Sequence, residues 1–106
     1  MGREIEELER WYEAQCDGDW EHEFGLRIST LDNPGWMVDI DLAGTPLEGR
    51  EFTPVVDMTP ERTWIHCTVL DGQFRGRGGA QMLGRILRTF LEWARESPVR
   101  DDADAG

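Results

Sequence analysis

The chain has 106 residues, and 39% of them are hydrophobic, including five Trp and four Phe. This content supports one buried core but not two, and it argues against disorder. Since no apolar run approaches the roughly 20 residues of a membrane span, and the N-terminus lacks an apolar segment behind basic residues, we expect a cytoplasmic protein without membrane contact.

The formal net charge is −11, and it is unevenly spread. Residues 1–61 carry a net charge of −12, residues 62–100 carry +4, and the last residues from Asp101 add −3. An acidic surface repels nucleic acid and attracts a cationic partner by long-range steering. The alternative is that the charge serves solubility alone.

The first predicted element is an amphipathic helix from Arg3 to Cys16. Its first turns are rich in Glu, which suits the positive end of the helix dipole. Gly18, after Asp17, is a natural left-handed stop. The apolar positions recur at helical spacing and are Ile5, Leu8, Trp11 and Tyr12.

A polar and aromatic segment follows, from Asp17 to Glu23. A calcium loop that began at Asp17 would need Gly at its sixth position and Glu at its twelfth, but His22 and Ile28 stand there. A zinc site would need more His or Cys than the chain offers nearby. Two interpretations remain: a connector in which Trp20 plugs the core edge and the carboxylates are solvated, or a surface that docks a basic partner.

The stretch from Phe24 to Leu42 predicts a β-hairpin. In the turn Asp32-Asn33-Pro34-Gly35, Pro fixes one φ angle, and we expect Gly35 to supply the positive φ that a tight turn needs. The alternation places apolar residues on one face of the hairpin. It places Arg27, Ser29, Asp39 and Asp41 on the other.

Two further strands are predicted. Residues 51–58 form the third, and Pro54 restricts it to an edge or a bulge because Pro cannot donate to a ladder. Residues 63–70 form a central strand rich in β-branched and aromatic side chains. Within it, Cys67 is expected to be a small core residue and His66 a half-buried one; Cys16 and Cys67 are both expected to be free thiols.

Residues 71–79 predict a glycine-rich loop that carries Arg75 and Arg77 into the last helix. Flexible Gly residues and two guanidinium groups beside a helix N-terminus could bind an anion, although no P-loop spacing is present. The alternative is a plain connector in which the two arginines pair with the acidic first half of the chain.

The last predicted helix spans residues 80–96, and Ser97-Pro98 ends it. The predicted fold is a two-layer α+β domain: a four-stranded antiparallel meander with the N-terminal and C-terminal helices packed on one face. The domain comprises residues 1–98, and residues 99–106 form a flexible polar tail. The other face of the sheet is left to water or a partner.

The residues favour a binding protein over an enzyme, with no cofactor. Cys67 cannot be activated by His66, because adjacent strand residues point to opposite faces. The pair Asp39 and Asp41 lacks a third group. The alternative of another class is a small metal-dependent hydrolase built on Asp17, Asp19, His22, Asp39 and Asp41.

Three segments carry a resemblance to a known family. They are WYEAQCDGDWEHEFGLRISTLDNPGWMVDIDLAGT, TWIHCTVLDGQFRGRGG and LRTFLEWA. From Leu8 to Ala94 the chain resembles immunity protein family 53 of bacterial polymorphic toxin systems. The resemblance implies a protein that stays in the producing cell's cytoplasm and neutralises a cognate toxin. Separately, we expect a monomer or a weak homo-oligomer.

If the cognate toxin is a basic nuclease, the acidic half of the chain would mask its nucleic-acid path. The resemblance itself assigns no contact residues. The candidates for partner binding, taken from the sequence pattern, are Asp17, Asp19, Trp20, Glu21, His22, Trp36, Asp39 and Asp41.

Overall fold

The computed structural model describes residues 2–58 and 63–96. Residues 59–62 between the third and fourth predicted strands, the helix stop at Ser97-Pro98 and the predicted tail at residues 99–106 lie outside this part. The elements in chain order are α1 (Glu4–Gln15), α2 (Trp20–Glu23), β1 (Leu26–Leu31), β2 (Gly35–Asp41), β3 (Val55–Asp57), β4 (Ile65–Leu70), β5 (Gln73–Gly78) and α3 (Leu83–Arg95). No helix in the described ranges is both long and apolar enough to cross a membrane.

The sheet has five antiparallel strands in the order β1-β2-β5-β4-β3. The predicted four-stranded meander is therefore wrong, although the α+β class and the antiparallel pairing are confirmed. The additional strand, β5, comes from the stretch predicted to be a glycine-rich loop. It lies between β2 and β4, so the hairpin β1-β2 and the meander β3-β4-β5 join through it.

A two-residue turn at Asp71 and Gly72 produces this strand. The φ angles are 55° at Asp71 and 76° at Gly72, and Leu70 faces Gln73 across the turn. Positive φ at both central residues is the mark of a type I′ hairpin, for which Asp-Gly is a preferred sequence. The chain consequently reverses at once and pairs with β4.

The glycines of β5 are needed for close packing rather than for loop flexibility. A Cβ on Gly76 would lie 2.4 Å from Cγ2 of Ile86, and one on Gly78 would lie 2.9 Å from Cβ of Met82. Gly35 has a similar role: its φ is not positive, contrary to prediction, but a Cβ there would lie 2.4 Å from the carbonyl oxygen of Gly78. These three positions let α3 and the neighbouring backbone approach the sheet.

Both long helices contribute to the core on one face of the sheet. Leu8 of α1 and the apolar stripe of α3 share one core with inward-facing residues of the strands. Ion pairs also link the helices: Arg88 contacts Glu4 at 2.9 Å, and Arg95 contacts Glu7 at 3.1 Å. The largest fully buried side chains are Phe74, Phe90, Ile40, Leu42, Leu47, Ile65, Ile86, Leu87, Val38 and Cys67.

The segment between β2 and β3 packs against the end of α3. The Arg50 guanidinium donates to the carbonyl of Trp93 at 2.8 Å and to that of Glu96, and it lies over the Trp93 ring. The Trp93 indole in turn donates to the carbonyl of Glu51 at 2.8 Å. A cation thus binds the last carbonyls of α3, where the helix dipole favours positive charge, and it shares the Trp93 carbonyl with the N–H of Glu96.

Several strand predictions are confirmed. The edge position of β3 and the interior position of β4 are as expected, but β3 has three residues instead of the predicted 51–58, and Pro54 lies before it. Cys67 is fully buried and Cys16 partly exposed, and both are free thiols.

Candidate functional site

The predicted partner-binding segment begins with two carboxylates that bind the local backbone. Oδ1 of Asp17 accepts the N–H groups of Asp19 and Trp20, both at 2.9 Å. The Glu21 carboxylate accepts the N–H groups of Asp17 at 3.0 Å and Gly18 at 2.9 Å. This reciprocal arrangement holds the connector and the start of α2, and the N–H groups of Trp20 and then Asp19 lower the pKa of Asp17.

Trp20 is the plug of the core edge that the connector interpretation predicts. Its side chain is only 6% exposed, and its indole N–H donates to the carbonyl of Ala43 at 2.8 Å. Its ring meets Trp11 and Tyr12 edge-on. Trp20 therefore offers little surface to a partner.

The exposed part of this segment is a small acidic patch. Asp19, His22 and Glu23 are exposed, and together with Phe24 and Gly44 they border a shallow depression of about 390 Å³. Partner binding by this segment stays a prediction, and its exposed side chains are those of Asp19, His22 and Glu23.

Trp36 lies away from both aspartates with which it was grouped. It belongs to the helix-facing side of β2, is half-buried against the core, and donates its indole N–H to the carbonyl of Ala80 at 2.9 Å. Asp39 and Asp41 alternate with it and therefore point to the uncovered face.

Both aspartates are already bonded on that face. Asp39 accepts Nη1 of Arg77 at 2.9 Å. Asp41 accepts Nε2 of Gln73 at 2.8 Å on one oxygen and the N–H of Gly25 at 3.0 Å on the other. They cross-link neighbouring strands.

Arg75 and Arg77 lie on β5, on the uncovered face, and not beside the start of α3 as the loop prediction had placed them. Arg77 pairs with Asp39, which agrees with the alternative that the arginines of residues 71–79 pair with the acidic first half of the chain. Arg75 contacts Gln73 at 3.2 Å and Asp71 at 3.9 Å. Anion binding by these arginines remains a prediction. Arg27, on β1, lies on the same face. Among the described residues, the uncovered face of this acidic protein therefore carries three arginines and two aspartates.

The sequence missed an apolar groove between α1 and β1. Ile5 and Tyr12, two of the four apolar positions of the predicted first helix, are exposed, as is Ile28 on the edge strand. With Leu8 and Leu26 they border a groove of about 390 Å³. The signal in the sequence was the wide apolar stripe of α1, which is broader than α3 and the sheet can cover.

The residues of the hydrolase alternative are divided between two places. Asp17, Asp19 and His22 lie on the connector, whereas Asp39 and Asp41 lie on the uncovered sheet face. Among the described residues, no group of three or more His, Cys, Asp or Glu side chains is close enough together to hold a metal ion.

The described residues form a small α+β domain with both long helices on one face of an antiparallel sheet. A family model described as immunity protein 53 matches residues 5–95, so the chain belongs to that family. The family assignment drawn from the sequence motifs is thus confirmed. Comparison with curated proteins and with solved structures found no match.

Proposed function

We propose that this protein binds a cognate bacterial toxin and neutralises it, and that it catalyses no reaction itself. The observation that carries the proposal is the family match over residues 5–95, since the family is described as an immunity protein. The state of Cys67 supports it: burial raises the pKa of this thiol to about 11, so it is a poor nucleophile near neutral pH.

The charge distribution favours a cationic partner. The outer side of α1 and the connector expose the carboxylates of Glu6, Glu9, Glu13, Asp19 and Glu23, which we call the acidic layer. Such a surface accelerates encounter with a basic protein and suits a toxin that itself handles nucleic acid. The protein acts in the cytoplasm of the producing cell, as a monomer or a weak homo-oligomer.

Within the acidic layer, the connector provides the first candidate contacts. Asp19 and His22 are exposed beside Glu23, while Asp17 and Glu21 hold the backbone that presents them. Trp20 and Trp36 support the core beneath the surface.

The test is co-expression with the toxin domain encoded in the neighbouring reading frame, followed by titration of the two purified proteins at low and high salt. We expect growth to be rescued and the affinity to fall as salt rises. Absence of rescue and of binding would refute the function. Rescue with an affinity indifferent to salt would refute charge as its driver.

A matched pair of variants locates the surface. Glu23→Lys reverses a charge in the acidic layer, and Glu92→Lys makes the same change at an exposed position on α3. We expect the first to weaken binding more than the second, mainly through the association rate. Equal effects would indicate that only net charge matters.

A further inference from the structure

The α1–β1 groove combines exposed apolar side chains with a sheet edge that no strand of residues 2–58 and 63–96 pairs with. Ile5 is 51% exposed and Ile28 is 37% exposed, with Tyr12 and Leu26 between them. β1 is an edge strand, and its partner β2 pairs with β5 on its other side. Exposed apolar residues grouped along a strand edge are unusual in a protein that acts alone.

The hydrogen-bond pattern shows which backbone groups of β1 face outwards. The N–H of Asp41 bonds to the carbonyl of Gly25 at 2.9 Å, so the bonded register continues at every second residue. The N–H and C=O groups of Leu26, Ile28 and Thr30 consequently point away from β2. Their side chains point to the helix side of the sheet, where the groove lies.

An added strand would therefore gain two kinds of contact at once. The backbone of the added strand would bond to the outward N–H and C=O groups of Leu26, Ile28 and Thr30, and every second side chain of that strand would point into the groove. The groove is long enough to involve Ile5 and Tyr12, which are two helical turns apart on α1.

The rim of the groove determines the charge of its occupant. Glu9 borders the groove, and Glu6 and Glu13 follow on the adjacent strip of the α1 surface. All three are exposed, and within the described residues neither Glu9 nor Glu13 forms an ion pair. A segment with Arg or Lys beside its apolar residues complements this rim, because a long basic side chain can cover apolar surface with its stem and reach a carboxylate with its head.

We propose that an extended segment of the toxin, with apolar residues at alternate positions and Arg or Lys among them, adds to the free edge of β1 and fills the α1–β1 groove. This inference rests on the proposed function and names the surface and the binding mode. A second copy of the chain would bring two acidic α1 helices together. The chain's own terminal residues carry Asp101, Asp102 and Asp104, which the acidic rim repels.

The test uses the full chain and the toxin domain of the neighbouring reading frame. Ile28→Thr removes apolar contact but keeps β-branching, and Val56→Thr is the matched control on the opposite edge strand, where Val56 is 54% exposed. We expect Ile28→Thr to weaken toxin binding about tenfold, the loss typical of an interface anchor, and Val56→Thr to change it less than about threefold.

Two further variants probe the backbone and the rim. Ile28→Pro removes an outward N–H without breaking the β1-β2 ladder, and it also removes the Ile28 side chain. Its loss of affinity, expected to be at least tenfold, is therefore compared with that of Ile28→Thr, which keeps the N–H. Glu9→Gln should weaken binding at low salt, and this difference should vanish at high salt; Glu92→Gln is its control.

The outcomes separate this inference from the proposed function. Failure of the unaltered protein to neutralise the toxin refutes the function. Neutralisation that Ile28→Thr and Ile28→Pro leave unchanged overturns the groove proposal alone. Two other results would also overturn the groove proposal. If Ile28→Pro dissociates a dimer of this chain, the occupant is a second copy. If Ile28→Pro changes the amide signals of residues 99–106 in the free protein, the occupant is the chain's own terminal segment.

Discussion

Gly76 lies on β5 directly beneath α3, and its replacement by Ala tests why this strand is rich in glycine. The new Cβ would lie 2.4 Å from Cγ2 of Ile86 and 3.1 Å from Cε2 of Phe74. An ordinary carbon–carbon contact is about 3.5–4 Å, so the Ile86 methyl must move by about 1 Å. Ile86 is fully buried, and this methyl branches directly from its Cβ, so no rotation into open space relieves the contact.

We therefore expect Gly76→Ala to lower the free energy of unfolding by about 1–3 kcal/mol, the cost of overpacking a core. Urea unfolding followed by Trp fluorescence measures this, and thermal unfolding should shift downwards by about 4–8 °C for each kcal/mol. Gly84→Ala is the control: nothing lies within 4 Å of the added Cβ on α3, and it should stabilise by roughly 0.5–1 kcal/mol. Equal stability of Gly76→Ala and the unaltered protein would refute the packing argument.

Three other predictions concern single side chains. The pKa of Asp17 is lowered in the folded protein, so this carboxylate stabilises the fold above its unfolded pKa of about 3.9, and the stabilisation is lost as the pH falls through the folded pKa. Asp17→Asn should therefore flatten the change in unfolding free energy between about pH 5 and pH 2. Urea titrations in which the two proteins show parallel pH profiles would contradict this. A thiol reagent at pH 8 should modify Cys16 rapidly and Cys67 only after urea is added, because burial raises the pKa of Cys67 to about 11. Rapid modification of both thiols in the native protein would show that Cys67 is accessible. Arg50→Ala should lower the free energy of unfolding by about 1–2 kcal/mol, because it removes the hydrogen bond to the Trp93 carbonyl and the contact with the Trp93 ring. Arg50→Lys should restore only part of this free energy. Identical urea midpoints for the unaltered protein and both variants would show that these contacts add no stability.

The elements predicted best are those with local signals. The period of α1 and the alternation of β1 and β2 depend on neighbours in the chain. Gly18 has a positive φ of 97°, but the predicted stop there is wrong, because α1 already ends at Gln15 with Cys16 in an extended conformation. The missing N–H of Pro54 predicted an edge or a bulge, and β3 is an edge strand, although it begins only after Pro54.

The strand β5 was missed although its turn carried a local signal. Asp71-Gly72 is a preferred hairpin pair, but the glycines after it suggested a loop because glycine is poor in strands. What favours Gly76 and Gly78 is the approach of α3, a partner in the third dimension that no pattern along the chain contains.

The candidate site shows the same division. The sequence correctly identified Asp17 to Glu23 as a dense polar and aromatic segment, but it could not show that Asp17 and Glu21 bind backbone N–H groups or that Trp20 is buried. Nor could it show that Asp39 meets Arg77 across two strands.

The sequence by itself determined the class of fold, the acidic character and the family, because hydrophobic period, charge and short motifs are properties of neighbouring residues. The tertiary structure alone decided the strand order, the close contact of Gly76 with Ile86 and the exposure of the α1–β1 groove. Those features depend on distances between residues far apart in the chain, and only the packing of α1 and α3 on the sheet fixes them.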